Sequence, residues 1–120
     1  MAAASMLALV MMAQAPAPAV DVAYEQLNEG RNVAAIAAIE LNTDLDENDP
    51  ARLINLGIAY ARQGDRTRAR ELFVAAERSP ERVDLETAGG KWVDSRDLAR
   101  QALAMLDQGE FANPSRMSMR

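Results

Sequence analysis

The sequence predicts an all-α fold of antiparallel helix hairpins, followed by a short β-hairpin or loop and a C-terminal capping helix. Three observations predict it. Apolar residues recur at helical spacing: Leu53, Leu56, Gly57 and Tyr60 share one face, and Ala69, Leu72, Phe73 and Ala76 share another. The pattern repeats 34 positions apart, with Gly64 falling on Gly30, Ala69 on Ala35 and Phe73 on Ile39. The chain is 49% hydrophobic but only 4% aromatic, a composition of small side chains that favours close helix-to-helix packing over a large cavity.

The elements follow in order. Residues 1–19, MAAASMLALVMMAQAPAPA, hold an apolar run, Met6 to Ala13, then small residues and prolines. This is the pattern of a secretory signal peptide, with Ala13-Gln14-Ala15 or Ala15-Pro16-Ala17 as the small-x-small cleavage site. The other readings of the segment are a flexible tail and an uncleaved membrane tether. Pro16 and Pro18 end any helix there. A helical domain is expected over residues 20–109. Its first unit runs from about Pro16 to Asp49, with Gly30-Arg31-Asn32 as the turn between helices and Val33, Ile36, Ala37 and Leu41 as the apolar face of the second helix. Asp44 to Asp49 forms an acidic turn, after which Pro50 opens the next helix.

The unit from Pro50 to about Arg82 is the clearer one. Gly57 on its apolar face lets a neighbouring helix approach, at a propensity cost of about 1 kcal/mol relative to Ala. Gly64 ends the first helix, and Asp65 caps the second. Val83 to Thr87 alternates apolar and polar, Ala88-Gly89-Gly90 supplies a turn, and Lys91-Trp92-Val93 returns as a short strand. Ser95 or Asp94 caps a last helix, with Leu98, Ala102, Leu103 and Leu106 on one face and Gly109 at its end. Residues 110–120 are expected to be a flexible tail, loose from Phe111 onward.

The residues of the second unit resemble the tetratricopeptide repeat family. Leu53, the pair Leu56-Gly57, Tyr60, Ala69, Phe73 and Ala76 stand where that family's motif has its large apolar residue, Leu-Gly, tyrosine, small residue, aromatic and Ala, and Pro80 supplies the closing proline one position early. The earlier unit is degenerate, with Val22 in place of Leu56 and Gln26 in place of Tyr60. The resemblance implies stacked helix hairpins with a concave surface, lined by the first helix of each hairpin, that binds peptides. It places Asn55, Ala59 and Arg62 on that surface. It also takes in small exported bacterial proteins, so it implies a periplasmic or exported location, with a cytoplasmic one as the alternative.

Several function classes are excluded by composition. With no Cys and no His, thiol chemistry, disulfides, zinc sites built on those residues and a histidine general base are all ruled out. The net charge of -5 and the lack of a basic cluster argue against nucleic acid. Arg66, Arg68 and Arg70 come nearest, but Asp65 and Glu71 sit among them. Asp44, Asp46, Glu47 and Asp49 lack the glycine and terminal glutamate of a calcium loop and are expected as solvated caps. Lys91 has no arranged proton partner. Trp92 either packs between the last helix and the repeat or contacts a partner. No cofactor and no catalytic residue is therefore expected. The expected function is an adaptor binding a protein segment through Asn55, Ala59, Arg62 and Trp92. The alternative is a homo-oligomeric or structural subunit of a larger cell-envelope complex.

Overall fold

The structure, a computed structural model, describes residues 10–11 and 22–111. The expectations for the rest of the first 21 residues and for residues 112–120 lie outside the described residues. The described elements run β1 (Val10–Met11), α1 (Tyr24–Asn28), α2 (Asn32–Leu41), α3 (Pro50–Arg62), α4 (Arg66–Arg78), β2 (Asp84–Thr87), β3 (Trp92–Asp94) and α5 (Ser95–Asp107). The fold is mostly helical, with a short antiparallel hairpin, β2–β3, and a C-terminal helix, as expected.

The turns follow from local chemistry. Gly30 and Gly64 take φ of 74° and 87°, a left-handed conformation that favours glycine. After Gly64 the N–H of Asp65 donates to the Tyr60 carbonyl at 3.0 Å; after Gly30 the N–H of Arg31 donates to the Gln26 carbonyl at 2.8 Å. Both are six-to-one closures that satisfy carbonyls at a helix end. Asp49 and Asp65 cap α3 and α4, each accepting from the backbone N–H three residues on at 3.0 Å. Of the two caps open for α5, Asp94 is the one used: its carboxylate accepts from the N–H of Arg96 and of Asp97. Ser95 is buried instead, and its Oγ accepts from the N–H of Val83 at 3.1 Å.

Each helix packs on the next in chain order, and α3 also reaches α1 and α5. This makes α3 the centre of the core, with Ala51, Ile54, Leu56, Ile58 and Ala59 fully buried. The residues 34 apart are buried as pairs, Ala35 with Ala69 and Ile39 with Phe73. Gly57 does allow a close approach: a Cβ there would stand 2.5 Å from Phe73 Cε1.

The first helix is five residues long, and Ala23, with φ 63°, precedes it at the position where Gly57 lies within a helix in the next unit. Three expectations are corrected. On α2 the core side is Ala35 and Ile39, whereas Val33, Ala37 and Leu41 point outward. Phe111 is not loose; it is buried beside Phe73, their ring centroids 6.0 Å apart. Finally, Val10–Met11, inside the segment expected to lie outside the folded part, pairs antiparallel with β2 as the edge strand of a three-stranded sheet ordered β1-β2-β3.

Candidate protein-interaction site

Three of the four residues assigned to a binding surface turn inward. Asn55 is fully buried, and its Nδ2 donates to the Val22 carbonyl at 3.1 Å. It does hold an extended backbone, as its side-chain chemistry suggested, but the backbone belongs to its own chain. Ala59, one helical turn on, is also fully buried. Both are covered because the first unit folds across α3, Val22 and Leu27 being buried in the same core. Neither residue is accessible to a partner from this position.

Arg62 is half-buried and serves the fold. Its guanidinium donates to the Leu27 carbonyl at 3.0 Å and lies 3.5 Å from Asn32 Oδ1. A cation there complements the carbonyl end of α1. Burial lowers its pKa from the ordinary arginine value. Trp92, by contrast, is not packed between α5 and the repeat: it is 52% exposed on β3, opposite Glu86 of β2.

The apolar surface that remains exposed lies elsewhere. Val33 and Leu41 on α2 are 68% and 80% exposed, and Ala37 between them is exposed as well. Positions spaced by four form one stripe along a helix. The sequence of α2, NVAAIAAIEL, is apolar nearly all round, the character of a helix covered on more than one side. The outward side of α5 carries Arg100, Gln101, Ala104 and Asp107. One end of the helix stack is therefore polar and the other apolar.

The chain to either side of the stripe is acidic in sequence. Between Tyr24 and Asp49 there are seven carboxylates and one basic residue, Arg31. The acidic turn also does structural work. Asp46 accepts from the N–H of Asn48 at 2.8 Å, and the Ser79 hydroxyl donates to the Asn48 carbonyl at 2.6 Å. Desolvation, then the like charges of Asp49 and Asp46, raise the pKa of Glu81. Among the described residues no group of three or more carboxylates is placed to hold a metal ion, and no helix is long and apolar enough to cross a membrane.

Against family models, curated proteins and solved structures, the chain shows no match. The site thus rests on its own geometry. The stripe escaped sequence reasoning because Val33, Ala37 and Leu41 were assigned to the core. The available signal was Ala35 and Ile39, which fall on Ala69 and Phe73 of the clearer unit and so mark the buried side.

Proposed function

We propose that this chain is a non-catalytic protein-interaction module of tetratricopeptide type, an adaptor whose docking face is the outer stripe of α2. The observation that carries this reading is the exposure of Val33 and Leu41 beside Ala37 at one end of the stack. In repeat proteins a terminal element keeps a polar outer face for solubility, and α2 departs from that rule where α5 obeys it. An apolar stripe left in water favours association. The partner that fits is an amphipathic helix with basic flanks, since helix-on-helix docking uses an apolar face and the rim here is rich in carboxylates. The same rim would repel its own copy, so a second chain is the weaker occupant. The tetratricopeptide assignment is supported by the paired burial of Ala35 with Ala69 and Ile39 with Phe73. The bacterial cell-envelope location belongs to the same proposal and is supported by the signal-like run Met6 to Ala13.

The test is site-specific photocrosslinking in native cells from a probe at position 37, with and without the double substitution V33E/L41E. The expected product joins position 37 to a basic, amphipathic helix of another protein, and it disappears in the double variant. Crosslinks only between copies of this chain would overturn the adaptor reading in favour of a self-associating subunit. A partner captured equally well by V33E/L41E would remove α2 from the site.

A further inference from the structure

The pairing of β1 with β2 carries a second interaction surface. Thr87 donates its N–H to the Lys91 carbonyl at 2.9 Å, and Ser95 donates its N–H to the Val83 carbonyl at 2.7 Å. Backbone groups alternate along a strand, so Val83, Leu85 and Thr87 are committed toward β3, while Asp84 and Glu86 face the opposite edge. On that edge Met11 stands opposite Glu86 and Val10 opposite Thr87. Met11 is therefore the residue that exchanges ladder hydrogen bonds with β2, and the Val10 N–H turns away from it. The strand also lies beside α3, the helix whose Asn55 holds the Val22 carbonyl of the same N-terminal part of the chain.

We propose that this edge of β2, floored by α3, is a docking site for an extended apolar protein segment. In the chain itself Val10–Met11 occupies the site. A sheet edge with unpaired N–H and C=O groups is a template for strand addition, and main-chain bonds supply the attraction without a fixed sequence. The sequence around the native occupant states the chemistry preferred: Val10–Met11 sits in a run, Leu7 to Ala13, that carries no charge. The position opposite Glu86 accepts Met11, and an acidic residue there would meet the Glu86 carboxylate. The tethered segment holds the site through its high local concentration. Cleavage after Ala15, or displacement, frees the edge for the same kind of segment from another protein. The proposal rests on the adaptor reading but uses none of its α2 residues, so either can fail alone.

The test uses the full chain and a fluorescent peptide of residues 7–15, LALVMMAQA. Met11→Pro removes the ladder N–H; Val10→Pro, at a position whose N–H is not in the ladder, is the matched control. By fluorescence anisotropy the M11P chain should bind the peptide about tenfold more tightly than the wild type or V10P. Backbone exchange of the Glu86 amide should quicken in M11P and slow again when peptide is added. The unmodified chain gives an independent reading should M11P fail to fold. The Cα atoms of a pair in the Val10–Thr87 position lie about 4.5 Å apart, so their Hα protons should show an NMR contact. Equal peptide binding by M11P and wild type overturns the proposal, as does absence of that NMR contact. A wild-type dimer that becomes monomeric in M11P also overturns it, assigning the strand to exchange between copies.

Discussion

Asn55 on α3 shows how one side chain changes meaning with what lies above it. Its amide suits an extended peptide backbone, and it binds one, the carbonyl of Val22 at 3.1 Å. Because Asn55 is fully buried, its role is cohesion between the N-terminal unit and the central helix. Asn55→Ala should cost about 1–3 kcal/mol in urea unfolding, the usual penalty for leaving a buried polar group without its partner. An unchanged midpoint would mean that the contact carries no stability. Arg62 makes the same link from one end of α3, through the Leu27 carbonyl at 3.0 Å. Both residues were legible as polar positions on a helix, but their inward direction was not. Side-chain chemistry states what a group can bond, while burial depends on which segment crosses it.

At the scale of elements, the caps were the most legible features. Asp49, Asp65 and Asp94 each precede a helix and each accepts a backbone N–H from its first turn. Beyond the N–H groups of Arg96 and Asp97, Asp94 has a third partner, the Arg82 Nε at 2.7 Å, which joins the loop after α4 to the start of α5. The Arg82 hydrogen bond, aided by the N–H groups of Asp97 and Arg96, lowers the pKa of its carboxyl from the ordinary value. A carboxyl with a lowered pKa in the folded state stabilises that state above its unfolded pKa, near 3.9. That contribution is lost as the pH falls through the folded value. Asp94→Asn keeps a capping oxygen but cannot ionise. It should therefore be less stable than the wild type at pH 6, with the gap closing below about pH 4. Urea midpoints from pH 6 to pH 2 check this; parallel curves for the two proteins would show that Asp94 does not contribute through its charge. The face of α2 was less legible. With alanines around most of its circumference, periodicity allowed several faces, and packing against α3 selected Ala35 and Ile39.

For the whole molecule, the important contrast is between the two ends of the helix stack. At one end α5 buries Leu98, Ala99, Ala102 and Leu106 and turns polar residues outward. Phe111 extends this closure beyond the helix by lying beside Phe73, itself against Gly57. Phe111→Ala should cost about 3 kcal/mol, the low end for removing a buried phenylalanine, and lower the thermal midpoint by more than about 10 °C. Calorimetry checks this, and a shift below about 2 °C would return Phe111 to the tail. At the other end α2 leaves Val33 and Leu41 in solvent, and the proposed adaptor function resides there.

Local order was set by the sequence alone. The glycine turns, the aspartate caps, the helical spacing of α3, α4 and α5, the hairpin around Gly89-Gly90 and the 34-residue recurrence all depend on residues near one another in the chain. A cap or a left-handed glycine is decided within one helical turn, so its chemistry is visible without the rest of the protein. Only the tertiary structure decided which apolar faces are covered. It closed Asn55 and Ala59 under the first unit, turned Val33 and Leu41 outward, drew Phe111 onto Phe73 and set Val10–Met11 against β2. Periodicity shows that a face is apolar, but its partner is chosen by contacts between residues far apart in the chain.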